Sequence, residues 1–136
     1  MVKACTSLEQ SERLMGILPP ESADMKWHFW KSEIDAPKLP TFGYSKDAAE
    51  TCKSSEAVYL PCWSQTALYD RLPVIIGNVL EKNALRLRMD KGETDFNVWY
   101  ENIDTHYVED GLDVVESNPV DAYYEIIIKL HERKLI

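Results

Sequence analysis

Residues 118–136 (NPVDAYYEIIIKLHERKLI) constrain the fold more than any other stretch, because they specify the start, direction and buried face of one helix. Asn118 can cap it with a side-chain oxygen. Pro119 suits the first helical position, where an N–H would be unpaired, and Asp121 favours the positive end of the helix dipole. At about 100° per residue, Val120, Tyr123, Tyr124, Ile127, Leu130 and His131 fall on one face, with Ile126 and Ile128 at its margins. Asp121, Glu125, Lys129, Glu132 and Arg133 fall on the other. A stripe this wide is rarely left in water, so earlier residues must cover it. His131 is expected to be a partly buried core residue.

The rest of the chain can supply that cover. Leu85, Leu87 and Met89 alternate with Arg86 and Arg88; Asp90-Lys91-Gly92-Glu93 turns; Phe96, Val98 and Tyr100 alternate again. This predicts a hairpin with one apolar face. Residues 103–108 are expected to add a short strand, and Asp110-Gly111 to turn into the final helix.

Upstream, Ser7-Leu8-Glu9-Gln10 fits a capping box that opens a helix over residues 8–17, stopped by Pro19-Pro20. Residues 23–30 alternate as a strand until Trp30. Residues 57–61 read as a buried extended segment, followed by a helix over 65–72 capped by Ser64, with Trp63 as a hydrophobic staple. Residues 32–55 read as a weakly ordered loop with room for a short helix near 47–53, and residues 74–80 as a turn-rich connection. With 136 residues, 45% of them hydrophobic, one domain over 1–136 is expected. The class is α+β: a small twisted antiparallel sheet of about three to five strands against about three helices, the C-terminal helix central.

The formal charge of −8 is concentrated late in the chain: residues 102–136 carry 8 acidic and 3 basic side chains. Between Asp104 and Glu125 there are seven carboxylates and no Lys or Arg. Phosphate contacts need cations, so this region disfavours nucleic-acid binding and suits a basic protein partner. No apolar run reaches membrane-spanning length and no export signal opens the chain, so a cytoplasmic protein with no membrane partner is expected. Cys5, Cys52 and Cys62 form no C-x-x-C pair and are read as free thiols.

The segments Ser7-Leu8-Glu9-Gln10-Ser11, residues 18–25 (LPPESADM), Pro61-Cys62-Trp63-Ser64 and residues 118–122 (NPVDA) together resemble small uncharacterised proteins of gut Bacteroidetes and their phages or other mobile elements. The resemblance spans most of the chain. It implies a bacterial origin and a prophage or mobile-element context, and it carries no assigned activity.

Phosphate-binding glycine loops, zinc-helix motifs and nucleophile elbows are absent from the sequence. His28, His106 and His131 lack metal-ligand spacing, so neither a metal nor a cofactor is expected. Two candidates for catalysis stand out. Asp24 and His28 share one strand face and form an acid–base candidate. Cys62 lies just before a helix start, where the dipole favours a thiolate. The bland readings compete: a solvated sheet face for the first, a buried structural cysteine for the second. Candidate binding residues are Trp30, Trp63 and Trp99, as members of a stacking platform set against simple core packing, and Asp110, Asp113, Glu116 and Asp121, as an acidic docking surface set against a merely solvated face. The resulting expectation is a non-enzymatic protein-interaction or accessory module, acting on a protein partner or as a homodimer. The alternative is a small enzyme using Asp24/His28 or Cys62.

Overall fold

The computed structural model describes residues 3–136, and they divide into two compact units, 3–67 and 68–136. In the first, the capping box forms as its sequence requires. Ser7 Oγ accepts from Gln10 N at 3.1 Å while Gln10 Oε1 accepts from Ser7 N at 2.9 Å. Helix α1 (Leu8–Leu14) ends a turn earlier than expected, and Ile17 and Leu18 both donate their N–H groups to the Leu14 carbonyl in a tight turn before Pro19.

Strand β1 (Met25–Trp30) is the centre of a three-stranded antiparallel sheet, between β2 (Thr41–Phe42) and β3 (Ala57–Cys62). Met25 lies opposite Cys62 and Trp30 opposite Ala57. Pro61 is tolerated in β3 because that strand is an edge, where a missing N–H breaks no ladder. The stretch 32–55 contains β2 and helix α2 (Lys46–Cys52), the latter started by Ser45 Oγ accepting from Ala48 N at 3.3 Å. The short helix is thus present, one residue earlier than its sequence suggested. On the inner side of the sheet Cys5, Met25 and Cys62 form a buried cluster with Trp27 packed on it.

Helix α3 (Gln65–Tyr69) spans the boundary of the units and is shorter than expected. The second unit then builds a four-stranded antiparallel sheet in the order β4-β5-β6-β7: β4 (Ile75–Ile76), β5 (Leu85–Lys91), β6 (Phe96–Asn102) and β7 (Val108–Glu116). The strands therefore sort into two small sheets. The hairpin β5–β6 forms in the predicted phase, with Leu87 opposite Tyr100 and Met89 opposite Val98 on the apolar side.

The third strand departs from expectation. Residues 103–107 turn, and the strand starts at Val108 and runs through Asp110-Gly111 to Glu116. Its register against β6 shifts between Trp99, opposite Asp113, and Glu101, opposite Val108. Gly111, at φ +82°, absorbs the extra residues as a bulge. Asp-Gly marks a turn or a bulge equally well, because both need the left-handed backbone that glycine adopts freely.

Helix α4 (Pro119–Glu132) packs on β6 and β7. Asn118 Oδ1 accepts from Asp121 N at 2.9 Å and its Nδ2 donates to Asp121 Oδ2 at 2.7 Å. The buried face includes Val120, Tyr123, Tyr124, Ile127 and Leu130, and extends to Ala122, Ile126 and Ile128. Tyr123 stacks edge-on to Phe96 at 5.5 Å. His131 is exposed, contrary to its place on the apolar stripe. The last turn of α4 reaches the exposed start of β7, where Arg133 binds Glu109 and the Asp110 carbonyl. Among the described residues, no helix is long and apolar enough to cross a membrane.

Candidate binding surface

In the first unit the residues singled out for catalysis are engaged separately. Asp24 accepts from Ser64 N at 2.9 Å and also from the Ser64 hydroxyl, whose oxygen in turn accepts from Ala67 N at 3.2 Å. The carboxylate thereby holds the residue that caps α3. His28 is exposed four residues further along and meets the edge of Tyr59 at 5.0 Å. Cys62 is wholly buried, with its sulfur 3.0 Å from that of Cys5. The hydrogen bond with Cys5, and then burial, push the Cys62 thiol up, while the same hydrogen bond holds Cys5 below the usual thiol range.

Within the first unit, Trp30 and Trp63 do not build one platform. Trp63 is fully buried and donates from Nε1 to Ser22 Oγ at 2.9 Å, so it serves as core. A large aromatic next to a helix start has hydrophobic area enough to explain that position. Trp30 lies at the opposite end of the β1–β3 ladder, 57% exposed, beside a cavity of about 380 Å³ that His28 and Glu33 also line. Trp99 belongs to the second unit.

There, the side of the four-stranded sheet turned away from Phe96, Val98 and Tyr100 carries Asn97, Trp99 and Glu101 from β6, and Arg86 and Arg88 from β5. Glu101 is 7% exposed although it lies on this outer side. Arg88 Nε donates to its Oε1 at 2.9 Å and His106 Nδ1 lies 3.1 Å from Oε2. The loop after β6 puts His106 there. Asn102 Oδ1 accepts from Asp104 N and Thr105 N at 2.8 and 3.0 Å, and His106, at φ +63°, donates its N–H back to the Asn102 carbonyl. Arg86 is directly opposite Glu101 in register, yet its Nε is enclosed without a hydrogen-bond partner among the described residues. Arg88 therefore supplies the cation that answers this carboxylate, and His106 lies within hydrogen-bonding distance of its other oxygen.

Beside this ion cluster, Trp99, Asn97, Asp113, Val108 and Val115 line a hollow of about 190 Å³. Trp99 is half-buried, whereas Val108 and Val115 are 51% and 62% exposed. The strip has an aromatic centre and a charged rim, the arrangement that concentrates binding energy at protein interfaces.

The acidic residues predicted to act together are dispersed by the fold. Asp113 stands opposite Trp99 at the hollow, and Asp110 is exposed on the same strand. Glu116 is opposite Phe96, on the helix side of the sheet, and Asp121 is tied into the Asn118 cap. Among the described residues, no group of three or more His, Cys, Asp or Glu side chains is placed to hold a metal ion.

Comparison with protein-family models, curated proteins and solved structures finds no match to this chain. Glu101 and His106 had no local signal of their importance. The pairing register that sets Arg88 diagonal to Glu101 would have exposed it, because an acid on the polar face of a hairpin two residues from an opposing arginine is an ion-pair geometry.

Proposed function

We infer that this protein is a non-enzymatic interaction module that docks a basic, extended segment of a partner protein along β7 and into the hollow beside Trp99. The supporting observation is the coincidence, on one strand, of an exposed apolar strip with carboxylates. Val108 and Val115 flank Trp99, while Asp110 and Asp113 stand exposed and β7 closes the sheet order. A terminal strand offers main-chain hydrogen bonds to an added strand, and alternate side chains would choose it. The acidic rim selects against acidic partners and draws cationic ones at low ionic strength. A second copy of the chain, which is itself acidic, fits this rim less well than a basic partner. A role as an accessory protein of a bacterial mobile element, acting in the cytoplasm, is part of the proposal; its mobile-element part rests on the sequence resemblance alone.

The test is retention of host-lysate proteins by immobilised wild type, Trp99→Ala and Asp113→Lys at low and high salt. A centrally buried aromatic contributes about 2 kcal/mol or more at such interfaces, so Trp99→Ala is expected to weaken binding roughly 30-fold. Asp113→Lys should weaken retention and reduce its salt dependence, Asp110 remaining on the rim. Equal retention by all three proteins, or retention of nothing at low salt, removes the reading.

A further inference from the structure

Cys5 and Cys62 are 57 positions apart in the chain, and their sulfurs are 3.0 Å apart. Their proximity is built by the backbone. Thr6 N donates to the Trp63 carbonyl at 3.0 Å and Trp63 N donates to Thr6 Oγ1 at 3.1 Å, which laces the segment before α1 onto the end of β3. Trp27 Nε1 adds a third tie, donating to the Thr6 carbonyl at 3.0 Å. At 3.0 Å the sulfurs are about 1 Å beyond the roughly 2.05 Å of a disulfide bond, so closing it needs only a small shift of the two side chains. Cys5 is 4% exposed and Cys62 is not exposed at all, so the pair is shielded from bulky thiols and any oxidant that reaches it must be small. Cys52, on α2, lies outside this cluster.

We propose that Cys5 and Cys62 are an oxidation site at which hydrogen peroxide closes a reversible disulfide, fastening residues 3–6 to the end of β3. In the first step the Cys5 sulfur attacks one peroxide oxygen and the O–O bond breaks. The departing hydroxide takes the thiol proton and leaves as water, and Cys5 becomes a sulfenic acid. The Cys62 sulfur then displaces that oxygen: the S–S bond forms, the S–O bond breaks, and the hydroxyl leaves as a second water with the Cys62 proton. Two thiols have lost two electrons and one peroxide has gained them. The lowered thiol of Cys5 agrees with its acting as the attacking sulfur. This site is independent of the hollow at Trp99 and stands whether or not that surface binds a partner.

The experiment treats the full-length reduced protein with hydrogen peroxide, unfolds it and alkylates every remaining thiol before measuring the intact mass. Untreated protein should take three alkyl groups and oxidised protein one, with the loss of two hydrogens, and the peptide map should join Cys5 to Cys62. Cys52→Ser, which leaves the pair intact, should take none after oxidation; Cys62→Ser should form no internal bond. Dithiothreitol added to the unfolded oxidised protein should restore all three thiols, and the oxidised form should melt at a higher temperature than the reduced one. Three alkylated thiols after peroxide, a bond that includes Cys52, or oxygen gain in place of hydrogen loss would overturn the proposal.

Discussion

Glu101 receives Arg88 Nε at 2.9 Å from two residues along the neighbouring strand, while the arginine directly opposite, Arg86, leaves its Nε unpaired among the described residues. A carboxylate buried this far is stable only while its charge is answered. Arg88→Ala should therefore cost about 1–3 kcal/mol, more than an exposed ion pair would. Arg88→Lys should recover only part of it, since an ammonium cannot reproduce the guanidinium's directed N–H. Urea unfolding of the two single variants and of Arg88→Ala with Glu101→Ala gives the coupling directly. A coupling indistinguishable from zero would mean that the pair is ornamental.

Alkaline pH should destabilise the protein through its buried tyrosines. Tyr100 is wholly enclosed and donates its hydroxyl to the Pro73 carbonyl at 2.7 Å, and burial pushes its ionisation up. Burial, then the neighbouring Tyr69, do the same to Tyr123. A raised folded-state value means that the folded protein keeps a proton the unfolded chain releases. This stability is complete below about pH 10 and is lost as pH rises beyond it, by up to about 1.4 kcal/mol per pH unit for each such group. Tyr100→Phe should lower stability at neutral pH by about 1 kcal/mol through the lost hydrogen bond, and should flatten the alkaline decline. Denaturation midpoints from about pH 7 to pH 11 check both.

Gly111 should resist replacement although space surrounds it. A side-chain carbon there would meet nothing within 4 Å, so the cost of Gly111→Ala is conformational and comes from φ +82°. That cost is about 1–2 kcal/mol, and Gly111→Asn should fall below it because asparagine enters the left-handed region more readily. Thermal melts of the two variants decide the order. If Gly111→Ala melts with wild type, the bulge is not held as described.

How much of this was legible in the sequence depended on range. The caps at Ser7 and Asn118 and the phase of the β5–β6 hairpin depend on residues a few positions apart, and each formed as expected. What failed was either ambiguous locally or set at long range. Asp110-Gly111 serves a bulge as well as a turn, so a turn is expected where β7 runs on to Glu116. His131 satisfied the helical period but lies where α4 outruns its cover. Trp63 reads as a staple or as a platform member and is core, held by a partner that nothing local announces, Ser22, 41 residues away. The pairing of Cys5 with Cys62, and the closing of Glu101 by Arg88 and His106, follow only once strand order and register are known.

The lacing of Thr6 to Trp63 makes the first unit begin and end at one place. Its opening segment has to wait for residue 63 before it can settle, so on a ribosome the N-terminal cysteine and threonine remain undocked until almost the whole unit has been made.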